Sequence, residues 1–159
     1  MLSSLDGGPR LERRSTKCSR TSCNAHSSFT KAGEALTKPE GQSLARWIVL
    51  AQCRDAPAPG SEIARRLRLV RQSVQRLADV LVEDGLCAYR DNPQHRRAKL
   101  LELTSAGRST LDAIDGAQRQ WCDELGNAIG ESTLWRAATA LARVIEAVEK
   151  ANPEAQANK

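Results

Sequence analysis

Apolar positions in the middle of the chain recur at helical spacing. Val74, Leu77, Ala78 and Leu81 follow one another at intervals of three, one and three, which predicts a helix from Arg71 to about Asp84. Ile63, Ala64 and Leu67 form a shorter stripe that predicts a helix over Ser61 to Leu67, with only Arg68, Leu69 and Val70 between the two. Gly85 stands where a left-handed residue ends a helix sharply. Leu86 to Arg90 then reads as a strand, Asp91-Asn92-Pro93 as a turn, and Lys99 to Leu103 as a returning strand. In that return Leu101 and Leu103 flank Glu102 with a period of two.

The flanks are predicted to be helical. Ser43 is placed to cap a helix running to about Cys53, with Leu44, Trp47, Ile48 and Leu50 or Ala51 on its apolar face. Asp55 to Gly60, with Pro57 and Pro59, reads as a connector. A short helical stretch over Phe29 to Leu36 ends at Pro39 and Gly41. Thr104 caps a long helix to about Ala128. After Gly130 a further helix carries Leu134, Ala138, Leu141, Ile145 and Val148 at intervals of four, three, four and three, an a/d seam. The seam fits packing within one subunit and contact between two subunits equally well. Residues 1–28 are rich in Ser, Arg, Gly and Cys without apolar period and read as an irregular arm. The predicted organisation is therefore an arm at 1–28, helices at 29–54, a reader unit at 55–104, C-terminal helices at 105–151 and a frayed tail at 152–159. The fold class is mainly α, with a tight helix pair and a basic-tipped, two-stranded wing: a winged helix-turn-helix plan.

Composition narrows the classes. The 159 residues suit one domain, with 40% hydrophobic and 27% charged residues and a formal net charge of +5. No apolar run nears the roughly 18 residues of a membrane span, and the Arg-bearing start has no apolar core behind it. Five scattered cysteines, an odd number, fit reduced thiols in a cytoplasmic protein better than a disulfide framework. Cys18, Cys23 and His26 lack a fourth ligand at a zinc-site spacing, so no metal or other cofactor is expected. With His26 and His95 as the only histidines, no nucleophile–His–acid set assembles and no Gly-rich phosphate loop is present, which argues against an enzyme. Residues 61–99 hold nine bases and five acids, whereas 100–159 hold six bases and nine acids. One end of the molecule is thus suited to a polyanion.

Five segments, in order and at matching spacing, resemble the multiple-antibiotic-resistance regulator (MarR) family. They are Glu62-Ile63-Ala64-Arg65-Arg66-Leu67, Arg71-Gln72-Ser73-Val74-Gln75-Arg76, Glu83-Asp84-Gly85-Leu86, the wing Asn92-Pro93-Gln94-His95-Arg96-Arg97-Ala98-Lys99, and Leu103-Thr104-Ser105-Ala106-Gly107-Arg108. Leu44-Ala45-Arg46-Trp47 with Val49-Leu50 also looks like the family's helix before the reader. The resemblance spans roughly residues 30–150. It implies a homodimeric transcription regulator, most often a repressor, on a pseudo-palindromic double-stranded DNA operator, with no membrane partner.

The side chains agree with that implication. Gln72, Gln75 and Arg76 lie opposite the apolar stripe and have the chemistry to read bases in a major groove; Arg71 and Ser73 suit phosphate. Arg96 and Arg97 near the wing tip suit a narrow minor groove. His95 stands where the family often has an acid, and is assigned to phosphate. Arg68 and Val70 replace the family's usual turn Gly and helix-capping Ser or Thr, and the family's long first helix has no counterpart in the reading of residues 1–28. The family also implies small aromatic effectors between reader and dimer helices, where Trp47, Trp121 and Trp135 are the candidate lining. Two other readings stay open: thiol-based redox sensing through Cys18 or Cys23, beside Lys17 and Arg20, and a protein-interaction module with a vestigial wing.

Overall fold

The computed structural model of the protein describes residues 8–93, 95 and 97–151, so the tail expected at 152–159 lies outside the described residues. Six helices and three short strands follow in the order α1 (Gly8–Thr37), α2 (Leu44–Ala51), β1 (Ala58–Pro59), α3 (Gly60–Leu67), α4 (Arg71–Glu83), β2 (Cys87–Arg90), β3 (Leu100–Leu103), α5 (Ser105–Ile129) and α6 (Glu131–Ala151). Lys38–Glu40 form a 3-10 turn between α1 and α2. No helix among the described residues is long and apolar enough to cross a membrane.

The start of the chain corrects the sequence reading. Residues expected as an arm are helical from Gly8 onward, and the short stretch expected at Phe29–Leu36 is the end of that same helix. Pro9 lies in the first turn, where its missing N–H has no helical partner to lose. A seven-residue repeat runs through the segment as Cys18, Ala25, Ala32 and as Ser22, Phe29, Leu36. Most of these side chains are small, so the stripe is hidden from a count of large apolar residues. The far end of α1 is tied to α2 by close packing and polar contacts. A Cβ on Gly33 would lie 2.7 Å from Leu44 Cδ1, and the Leu44 N–H donates to Glu34 Oε1 at 3.2 Å. Buried Thr37 returns its hydroxyl hydrogen to Gly33 O at 3.1 Å.

The two-stranded wing is present as β2 paired with β3, and a third strand joins it that the sequence did not predict. The sheet is antiparallel in the order β1-β3-β2, with Ala58 opposite Leu101 and Tyr89 opposite Leu101 on the other side. A strand of two residues is too short for an alternation to show, and Pro59, with Pro57 just before the strand, imitates a linker. At the sheet edge Pro59 has no ladder bond to lose.

Val49 and Leu50 of α2, Ile63 of α3, Val74 and Leu81 of α4, Leu101 of β3 and Leu111 of α5 are fully enclosed in one core. The helix seams predicted for α3 and α4 therefore face inward together. Gly85, at φ 74°, ends α4 with the Leu86 N–H bonded to Leu81 O and its own N–H to Val82 O.

Thr104 joins this unit to α5. Its N–H donates to Leu86 O at 3.1 Å, its hydroxyl to Gly85 O at 2.7 Å, and the same hydroxyl oxygen accepts the Gly107 N–H at 3.0 Å. Gly107 lies so close that a Cβ would stand 1.9 Å from Leu86 O and 2.9 Å from its carbon. Backbone cannot swing aside as a side-chain tip can. Gly107→Ala is accordingly expected to destabilise the protein by about 3 kcal/mol or more, read as a lower urea midpoint. A midpoint equal to that of the unaltered chain would show that α5 can leave the α4–β2 corner freely.

Candidate nucleic-acid interface

Helix α4 buries Val74, Ala78 and Leu81 and leaves Arg71, Gln72, Ser73, Gln75 and Arg76 exposed on its other side. The turn before it is closed by Arg68 at φ 55°, the only non-glycine residue with positive φ among those described. The Leu69 N–H reaches Ala64 O at 2.9 Å and the Arg68 N–H reaches Arg65 O at 3.3 Å, the bond pattern that usually uses glycine at this place. Arg68 also makes an ion pair with Glu149 of α6. Val70 offers no side-chain cap, and in the first turn of α4 the Ser73 N–H donates to Val70 O at 3.0 Å.

The wing tip is made by two successive turns, with the His95 N–H on Asn92 O at 3.1 Å and the Ala98 N–H on His95 O at 2.9 Å. His95 and Arg97 are exposed there, whereas Arg96 lies outside the described residues. An Arg90–Glu102 ion pair crosses the two strands below the tip. The two residues stand at diagonal positions of the β2–β3 pair.

A cleft of about 520 Å³ opens between α4 and the wing, with Arg71, Gln72 and Gln75 on one wall and Tyr89, Arg97 and Lys99 on the other. Arg71, Arg76, Arg97 and Lys99 take no part in the ion pairs formed among the described residues. By contrast Arg65 and Arg66 of α3 are engaged by Glu62, at 3.4 and 2.8 Å, and the Arg66 bond holds the Glu62 carboxyl below its usual range. Among the described residues, the bases that stand outside ion pairs on this face thus lie on α4 and the wing.

Tyr89 and Lys99 were not singled out from the sequence. Tyr89 alternates with Cys87 in β2, and that period of two was the available signal. Its hydroxyl donates to Asp79 Oδ1 at 2.7 Å, and burial together with this bond pushes the phenol up to about 12.

The remaining candidates are dispersed. Trp47 packs against the core with its indole N–H buried and without an acceptor; Trp121 meets Phe29 of α1 edge-on at 6.3 Å; Trp135 is exposed on α6. Within one chain these three occupy separate settings. The seam on α6 is mostly open as well: Leu134 is half-buried, and Ala138, Leu141, Ile145 and Val148 are exposed. No three His, Cys, Asp or Glu side chains among the described residues stand together as a metal site.

Comparison with known proteins gives the arrangement its family. A MarR family model matches residues 41–98, the stretch from the end of the 3-10 turn to the residue after the wing-tip Arg97. An uncharacterized protein of Mycobacterium tuberculosis is 37% identical over 123 residues, covering 77% of this chain and 86% of that protein. Sco5413, a MarR family transcriptional regulator from Streptomyces coelicolor, superposes with a TM-score of 0.72 at 25% identity, over 85% of this chain and 95% of that one. The transcriptional repressor CouR, bound to a 23-mer DNA duplex, superposes with a TM-score of 0.73 at 25% identity, over 90% of this chain and 99% of that one. The fold is that of a winged helix DNA-binding regulator. The chain belongs to the MarR family.

Cysteine placement yields a prediction. Burial pushes the Cys53 thiol up to about 11 and the Cys87 thiol up to about 12, whereas Cys23 and Cys122 are exposed. Iodoacetamide at pH 8 should therefore label Cys23 and Cys122 in the folded protein and reach Cys53 and Cys87 only after denaturant is added. Peptide mass mapping reads the result, and rapid labelling of Cys87 in the native state would contradict the burial.

Proposed function

We propose that the protein is a homodimeric repressor that binds a pseudo-palindromic operator through α4 and the wing. The observation that carries this reading is the shared face of α4 and the wing, where Arg71, Arg76, Arg97 and Lys99 stand outside the ion pairs formed among the described residues. In the proposal Gln72, Gln75 and Arg76 meet bases in the major groove, while Arg71, Ser73 and His95 hold phosphate. Arg97, with Arg96 beside it in sequence, enters the adjacent minor groove. CouR, of the same fold over nearly its whole length, is a repressor bound to duplex DNA.

The dimer reading is supported by α6. None of its residues is buried, although Leu141 (50% exposed), Ile145 (49%) and Trp135 (68%) lie along it. A helix this apolar and this open in a single chain needs a second surface, and a twofold copy supplies one. A small aromatic effector would meet Trp47, whose indole N–H is already desolvated and lacks an acceptor.

Selection of bound DNA from a random pool, with nonspecific competitor, tests the core of the proposal. Enrichment of a two-part sequence with related half-sites is expected, and absence of any enriched sequence would overturn it. On the selected site, log K should fall with log salt at about −0.9 per neutralised phosphate, and Arg97→Ala should reduce both affinity and slope. For assembly, Leu141→Glu is expected to give a monomer with unchanged helix content, because the side chain is not part of the subunit core. Sedimentation with circular dichroism decides this, and a dimer of the unaltered affinity would refute the α6 interface.

A further inference from the structure

Gln75 lies on the exposed face of α4, yet its amide has a defined polarity. Nε2 donates to Asp79 Oδ1 at 2.8 Å and to the Tyr89 hydroxyl oxygen at 2.7 Å. The Tyr89 hydroxyl donates in turn to the same carboxylate oxygen at 2.7 Å. An ionised carboxylate only accepts, so the end of the amide beside Asp79 has to be the nitrogen. Both Nε2 hydrogens are thereby engaged within the protein.

The oxygen is left for an outside donor. Among the described residues nothing donates to Gln75 Oε1, which borders the cleft beside Gly60; a Cβ placed there would already come within 3.8 Å of it. An unconstrained glutamine pairs with adenine through both ends of its amide, accepting from N6 and donating to N7. Here the donating half is occupied. We propose that Gln75 reads its base as an acceptor alone, selecting the exocyclic amino group of adenine or cytosine in the major groove, with Tyr89 and Asp79 as the positioning residues that set this polarity. The inference rests on the operator-binding reading above.

Several features of the site reinforce it. Tyr89 keeps its proton, since its hydroxyl is pushed up to about 12, so the Tyr89–Asp79 bond persists across the working range of pH. Asp79 lies one helical turn after Gln75, and Tyr89 reaches them from β2. The polarity of a base-facing side chain is thus set from the wing strand.

Base analogues in the selected operator provide the test. Each adenine and cytosine of a half-site is replaced singly by purine or 2-pyrimidinone, which lack the amino group, and each adenine also by 7-deazaadenine, which lacks N7. At one base per half-site, loss of the amino group should weaken the unaltered protein about tenfold, while loss of N7 at that base should change affinity less than twofold. Gln75→Ala should no longer sense the amino group. Tyr89→Phe and Asp79→Ala each free an Nε2 hydrogen, and at that same base they should acquire sensitivity to N7 or accept guanine or thymine. Circular dichroism on each variant confirms that it is folded. Equal sensitivity to N7 and amino loss in the unaltered protein would overturn the inference, as would Gln75→Ala retaining the amino preference or Tyr89→Phe and Asp79→Ala keeping the original selectivity. Failure to enrich any DNA would instead overturn the operator-binding reading itself.

Discussion

The carbonyl of Leu86 is the point on which the architecture turns. It accepts from the Thr104 N–H at 3.1 Å, lies 3.1 Å from the Thr104 hydroxyl, and has Gly107 pressed against it without room for a methyl group. Three elements meet there: the end of α4, the start of β2 and the first turn of α5. Because α4 and the wing carry the reader and α5 leads toward α6, the direction of the reader relative to the rest of the subunit is set at this corner. The proposed dimer on DNA would hold two readers about 34 Å apart, one helical turn. A joint made of backbone contacts and one capping hydroxyl has little freedom to vary that spacing.

Ion pairs reinforce the same corner from the side of α2. Arg46 pairs with Asp84 at the end of α4, and Arg54 pairs with Asp115 of α5. The second pair is the weightier one, because Asp115 is buried and its other oxygen has no protein partner. Removing Arg54 would leave a buried carboxylate without compensation. Helix α2 therefore acts as a strut between reader and long helix. The turn before α4 runs the other way: a left-handed Arg68 costs about 1–2 kcal/mol, and an uncapped α4 forgoes about 1 kcal/mol. The exposed Arg68–Glu149 pair returns at most a fraction of that.

What the sequence makes legible follows side-chain size and distance along the chain. Helices α2 to α6 are marked by large apolar residues at regular spacing and by Ser43 and Thr104, whose side chains accept the Arg46 and Gly107 N–H groups as caps. Helix α1 escaped because its repeat is written in Cys, Ser and Ala. The strand at Ala58–Pro59 escaped because its partner, β3, lies over 40 residues away, and two residues carry no period. In the reader, the exposed faces of Gln72, Gln75 and Arg76 could be placed from the helix period alone. The link from Gln75 to Tyr89 could not, since it depends on how β2 crosses α4 and not on any local pattern.

The charge distribution and the open apolar row on α6 belong to one design. The basic stretch 61–99 holds α3, α4 and β2, whereas the acidic excess of 100–159 comes from Glu102 of β3 and from α5, with four acids to two bases; α6 balances three acids with three bases. The acids of α5 disfavour a polyanion on that side and leave the basic stretch as the favoured one. Polar flanks alone would leave α6 no reason to be apolar; its exposed Leu141, Val144 and Ile145 make sense only if that end meets another surface. The α6 face and the reader face therefore have to point to different neighbours. The proposed twofold arrangement would satisfy both, with like apolar rows together and two basic readers turned to the same side of a duplex.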